Sequence, residues 1–192
     1  HSYSSAASDV YKRQAYKKSD QTDPILIWPE QADQAFICAQ IEATTLLKNL
    51  INTPPNILGT EELAEAAQKV AKTHKAKVKI IKDSDLLKQN FPLIYAVGQA
   101  SPRRPSLVDI QWGEKSHPKI TLVGKGIIYD TGGLNLKPGQ YMRDMKKDMG
   151  GAAHALGLAW AIMAMQIPVQ LRVLLPIAEN AIAGNAYRPG DI

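Results

Sequence analysis

The chain has 192 residues, 45% of them hydrophobic, and a formal net charge of +5 from 23 basic and 18 acidic side chains. That length supports one sizeable core and a single domain by default. The lone cysteine, Cys38, excludes an intrachain disulfide and suits a reducing cytoplasm. No apolar run reaches the ~20 residues that span a bilayer, and residues 152–165 are interrupted by His154. Nothing interleaves aromatic with basic side chains as single-strand nucleic-acid binders do, so nucleic acid is not an expected partner.

Residues 1–23 (HSYSSAASDVYKRQAYKKSDQTD) are polar, basic and Ser-rich. They read as a disordered or foreign leader without a signal-peptide pattern, and the fold is expected over residues 24–192. After a short apolar piece at 24–29, residues 31–52 are predicted to form a helix. Ala35, Ile37, Cys38, Ile41, Thr45, Leu46 and Leu50 keep broadly to a 3.6 period there, and Pro54-Pro55 end it. Thr60 ahead of Glu61, Glu62 and Leu63 is a capped start for an amphipathic helix over 60–74, with basic residues toward its end. Residues 77–82 alternate lysine with Val78 and Ile80, as a half-buried strand does. A short helix is expected over 83–89, and strands over 94–98 and 106–112.

The chemistry concentrates in residues 119–180. The β-branched run at 120–123 reads as a buried strand ending in Gly124-Lys125-Gly126. Asp130 follows Ile127-Ile128-Tyr129. In an unbroken strand the odd offset would point Lys125 and Asp130 to opposite faces, so a bulge or kink at the flanking glycines is expected to re-aim one of them. Thr131-Gly132-Gly133 and Lys137-Pro138-Gly139 are loop signals. Asp148 stands where the apolar helix over 152–165 would begin, Pro168 ends that helix, and 169–177 reads as another strand. Strand, loop, helix and strand form a crossover unit, which predicts an α/β fold with a mostly parallel sheet flanked by helices. Ligand-binding groups gather beyond the carboxyl ends of such strands, where Lys125, Asp130 and Asp148 all belong.

Taken singly, these residues have ordinary explanations. Lys125 reads as a solvated turn lysine, Asp130 as a turn cap and Asp148 as a helix N-cap. Lys137, Arg143, Lys146 and Lys147 read as a solvated basic loop, and Asp144 as a loop acid. Met142, Met145 and Met149 would be core filler, and His154 an ordinary helix histidine. Glu179 is an acid at the right sheet edge, read as supporting structure. A nucleotide site is disfavoured, because neither GxxxxGK[ST] nor GxGxxG is present.

Jointly they say more. GKGIIYDTGGLNLKP followed by MRDMKKDMGGAA resembles the first metal-binding signature of the leucyl (cytosol) aminopeptidase family, and PIAEN, GNAYRPGDI and NLINTPPN extend the likeness. The resemblance implies a metallo-aminopeptidase acting on peptides, cytoplasmic and homohexameric, with two divalent ions per subunit, Zn or Mn, with Mg also possible. It makes Lys125, Asp130 and Asp148 metal ligands, Lys137 the cation beside the developing oxyanion, and Met145 a wall of the pocket for the first substrate side chain. Carboxylate oxygens and an amine lone pair suit those ions. The family's second signature supplies a further acid pair and an arginine downstream of the position of Pro189-Gly190-Asp191, and this sequence ends at Ile192. The expectation is therefore a catalytic-domain piece, inactive alone, with weakened metal binding. The competing reading is a non-catalytic fragment that binds nucleic acid or protein.

Overall fold

The computed structural model describes residues 27–192. The expected leader lies outside the described residues.

Helix α1 (Gln34–Asn52) begins at Asp33, whose Oδ1 accepts a hydrogen bond from Phe36 N at 3.0 Å. That cap satisfies a first-turn donor and sets the start a few residues later than periodicity alone places it. Helix α2 (Thr60–Thr73) is capped by Gly59 rather than Thr60. Glu62 Oε2 reaches back to Gly59 N at 2.8 Å, and Thr60 becomes a buried first helical residue. Leu63, Ala64, Ala67, Val70 and Ala71 form its buried face.

Strands β1 (Lys77–Lys82) and β2 (Ser106–Trp112) are joined through the short helices α3 (Asp85–Lys88) and α4 (Pro92–Gly98). Residues 94–98, expected as a strand, are helical. A short apolar run such as LIYAVG carries no decisive period, whereas Pro92 at the first turn presets a helical φ and lacks only an N–H that would be orphaned anyway.

Strands β3 (Lys119–Val123) and β4 (Gly126–Asp130) lead through helix α5 (Gly139–Met142) and a 3-10 turn (Met145–Met149) into helix α6 (Gly150–Ala164) and strand β5 (Gln170–Asn180). Among the described residues the strands form one five-stranded sheet in the order β1-β2-β5-β3, with β4 continuing beyond β3 along the same side of β5. The sheet is mixed. The β1–β2 and β2–β5 pairings are antiparallel, and those of β3 and β4 with β5 are parallel. The parallel part is the crossover unit expected from the sequence.

Strand alternation sorts the core onto two faces. Val108 and Ile110, with Val173, Leu175 and Ile177, pack against α1, α2 and α6, where Leu156 of α6 joins them, while Leu107 packs with Ile81 and Leu86 under α3 and α4. Helix α6 is apolar on all sides because it is clasped between the sheet and α1. Gly157 permits that approach, since a Cβ there would lie 3.0 Å from Ala43 O. No helix among the described residues is long and apolar enough to cross a membrane.

Candidate metal centre

The glycines on either side of the centre act as spacers. A Cβ on Gly124 would lie 2.6 Å from Gly151 O, and one on Gly151 would lie 2.8 Å from Lys125 N. No side chain fits between these backbones. Their contact lets Ala152 N donate to Lys125 O at 2.8 Å, stitching the start of α6 to the Gly-Lys-Gly turn. Asp148, in the 3-10 turn just ahead of α6, is thereby carried to Lys125. The Lys125 Nζ donates to Asp148 Oδ1 at 2.9 Å and lies 2.8 Å from Oδ2. Asp148 makes no side-chain cap, and Met149 occupies the N-cap position.

The odd offset between Lys125 and Asp130 is resolved, but not at the glycines. Val123 opposite Leu174 and Gly126 opposite Ile177 keep the two strands in matching register through the turn. The irregularity lies inside β4. Ile127 stands opposite Ala178 and Asp130 opposite Asn180, a step of three residues against two. The extra residue makes the offset effectively even. Lys125, Ile127 and Asp130 consequently share a face with Pro176, Ala178 and Asn180 of β5, and together with Val123 and α4 they line one cavity of about 610 Å³.

Asp130 is held on both oxygens. Oδ1 accepts from Gly132 N at 2.9 Å and from Asn180 Nδ2 at 2.7 Å, and Oδ2 lies 3.1 Å from Lys137 Nζ. Burial alone would raise the pKa of this carboxyl, but the donors from Gly132, Lys137 and Asn180 outweigh it and hold the value below that of an ordinary aspartate. Lys137 is brought there by the folded-back loop, in which Lys137 N donates to Thr131 O at 2.9 Å. Gly132 and Gly133 take φ values of +89° and +63°, a backbone region that glycine enters freely.

The donor chemistry suits a divalent cation. Asp148 Oδ2 is buried with no aligned hydrogen-bond donor, an oxygen with lone pairs to spare beside an amine. Two carboxylates and one amine are a hard-to-borderline set of the kind that takes Zn or Mn. Among the described residues no three His, Cys, Asp or Glu side chains converge into a metal-sized group.

The comparison with known proteins decides the lineage. Residues 45–192 match the family described as the cytosol aminopeptidase family, catalytic domain. The chain belongs to that family. A probable cytosol aminopeptidase of Agrobacterium fabrum is 38% identical over 196 aligned residues, covering 96% of this chain and 39% of that protein. The crystal structure of the cytosol aminopeptidase from Coxiella burnetii superposes with a TM-score of 0.83 at 51% identity, covering 92% of this chain and 38% of that one. The bottromycin maturation enzyme BotP, in complex with Mn, superposes at 0.77 with 32% identity, covering 97% and 41% respectively. This chain thus spans well under half the length of these cytosol aminopeptidase relatives.

Other candidates fall into place around the centre. Met145 opens the 3-10 turn, half-buried, and does not line the cavity. Met149 is core, and His154 Nδ1 lies 2.6 Å from Gly150 O on its own helix. Lys146 leaves the solvated loop to donate to Asn52 O at 3.1 Å, at the carboxyl end of α1, where a cation is favoured. Glu179 is 1% exposed and bridges Ser101 Oγ, at 2.7 Å, to the guanidinium of Arg188, which also meets Asp191 at 3.2 Å. Sequence reasoning missed Asn180 and Arg188. Asn180 did carry a signal, a polar residue at the carboxyl end of a buried strand, on the ligand-gathering edge.

Proposed function

We propose that this chain carries the first half of the two-metal centre of a leucyl-type aminopeptidase, with Lys125, Asp130 and Asp148 as ligands. The observation that carries the reading is the meeting of Lys125 with Asp148 across the Gly124–Gly151 contact, on the wall that Lys125 shares with Asp130. When bound, the divalent ions, Zn or Mn by donor type, supply Lewis-acid polarisation of the scissile carbonyl and a water acidic enough to attack near neutral pH.

The residues of this chain have separable parts in that reaction. Asp130 and Asp148 present carboxylate oxygens in fixed orientations. Lys125 would offer its amine nitrogen as the third donor beside Asp148. Lys137, tethered to Asp130, keeps an ammonium where the carbonyl oxygen becomes negative during attack, an electrostatic stabilisation that needs no rearrangement. Met145, outside the cavity that Lys125 and Asp130 line, is proposed as a wall for the first substrate side chain on the family resemblance alone. On the same reading the intact protein acts in the cytoplasm on the free amino ends of peptides, in keeping with the names of its relatives, and the family resemblance adds a homohexamer.

Among the described residues the proposed ligands are this lysine and two aspartates, a set expected to hold metal weakly and to give no turnover. The test is hydrolysis of leucine p-nitroanilide with added Mn²⁺, alongside Mn²⁺ binding to the wild-type chain and to Lys125→Ala, Asp130→Ala and Asp148→Ala. Weak binding lost in all three variants without hydrolysis is the expected result. Binding unchanged in the variants would sink the ligand assignment, and turnover by the isolated chain would overturn its predicted inactivity.

A further inference from the structure

Asn180 closes β5 and touches the candidate centre by three routes. Its Nδ2 donates to Asp130 Oδ1 at 2.7 Å, and its carbonyl oxygen accepts from Thr131 N at 3.0 Å and from Thr131 Oγ1 at 2.7 Å. The amide also fills the space over Gly133, where a Cβ would lie 3.1 Å from Asn180 Oδ1. One residue earlier, the buried carboxylate of Glu179 is fixed by Ser101 and Arg188. The strand end is therefore anchored on the side away from Asp130, and its amide cannot drift with the loop.

We propose that Asn180 is a positioning residue for metal binding: its amide sets the rotation of the Asp130 carboxylate while Glu179 and Arg188 pin the strand end that carries it. This rests on the assignment of Asp130 as a ligand. A carboxylate with both oxygens tied by donors in different directions has one orientation about its Cβ–Cγ bond. Gly132 N and Asn180 Nδ2 hold Oδ1, and Lys137 holds Oδ2. Of these donors, Gly132 N belongs to the loop and Lys137 to a flexible stem. Asn180 alone ties the carboxylate to the central strand of the sheet. Partners that orient a ligand in this way are worth roughly 10–100-fold in metal affinity.

The experiment titrates the 192-residue chain with Mn²⁺ alone and follows paramagnetic broadening of the Gly132 and Gly133 amide signals by NMR, which reads weak dissociation constants. Asn180→Ala removes the donor, and Asn180→Leu removes it while keeping volume should the alanine variant not fold. Leu86→Ala, on α3 where it packs with Ile81 and Leu107, is the control for loss of stability alone. The expected result is a dissociation constant raised tenfold or more by Asn180→Ala or Asn180→Leu, and within twofold of wild type for Leu86→Ala despite a lower unfolding midpoint. Equal effects of Asn180→Ala and Leu86→Ala, or no change on donor removal, would overturn the proposal. Broadening that is absent in wild type, or indifferent to Asp130→Ala and Asp148→Ala, would overturn the metal-site reading and this inference with it.

Discussion

Lys125 and Asp148 are 23 residues apart in sequence, yet the lysine nitrogen lies 2.9 Å from one carboxylate oxygen and 2.8 Å from the other. Nothing in either side chain produces that approach. It follows from two glycines, Gly124 and Gly151, that let the start of a helix lie against a strand-end turn without side chains between them. A methyl group at Gly151 would sit 2.8 Å from Lys125 N, so strand or helix has to shift. Gly151→Ala is therefore expected to lower stability by about 1–3 kcal/mol, the usual range for overpacking, and to part Lys125 from Asp148. Urea unfolding measures the first effect and Mn²⁺ affinity the second. An alanine variant with wild-type values of both would show that the contact is not tight.

Asp130 links the site to pH. Its folded pKa is depressed below the ordinary 3.8, because donors from Gly132, Lys137 and Asn180 overcome the opposing effect of burial. The unfolded chain then takes up the proton first as pH falls, so the stabilisation is complete above the unfolded value and is lost as pH drops through the folded one. The group is partly exposed, and solvent screening keeps the effect modest. Asp130→Asn, which cannot titrate, should show a shallower loss of stability below pH ~4 than wild type, measured as the urea midpoint against pH. Parallel curves would contradict the assignment of this slope to Asp130.

Much of this centre was legible in the sequence, and the failures have identifiable physical causes. The Gly-Lys-Gly turn, the crossover helix and the edge where Lys125, Asp130 and Asp148 gather follow from periodicity and glycine placement. The position of the bulge does not. Both the turn and β4 offered a plausible place for the extra residue, and only the pairing of Asp130 with Asn180 decides it. Residues 94–98 failed because a short apolar run suits a strand or a buried helix equally, and Pro92 settles the matter at a position outside the run. Arg188 was invisible for a different reason. Its partner Glu179 is nine residues earlier, across an irregular segment that no periodic pattern can fold.

That Arg188–Glu179 pair makes a prediction of its own. Glu179 is 1% exposed and Ser101 gives it one donor, so removing the guanidinium leaves a buried charge without its counter-ion. Arg188→Ala is expected to cost about 3–5 kcal/mol. Removing both charges spares Glu179 its uncompensated burial and leaves only Asp191 without the guanidinium, so Glu179→Gln with Arg188→Met should be less damaging than Arg188→Ala alone. Chemical denaturation of the wild type, Glu179→Gln, Arg188→Met and the double variant closes the cycle and gives the coupling directly. Simple additivity of the two single changes would mean that the charges do not depend on each other.

His74 provides the last prediction, far from the metal centre. It follows α2, its ring meets Trp160 edge-on at 4.7 Å between centroids, and its Nε2 is buried without a hydrogen-bond partner. Trp160 in turn donates from Nε1 to Glu42 Oε2 at 3.1 Å. Burial lowers the histidine pKa below 6.5, with Glu42 opposing it weakly. Here the sign is that of a base kept neutral by folding. The unfolded chain binds the proton more readily, so stability falls as pH drops through the unfolded value toward the folded one. His74→Phe keeps an aromatic ring against Trp160 and removes the titration. Its urea midpoint should therefore stay level between pH 7.5 and 5.5, chosen to bracket the ordinary histidine range of about 6.5, while that of the wild type declines. A wild-type midpoint as level as the variant's would show that His74 accepts its proton in the folded state as easily as in the unfolded one.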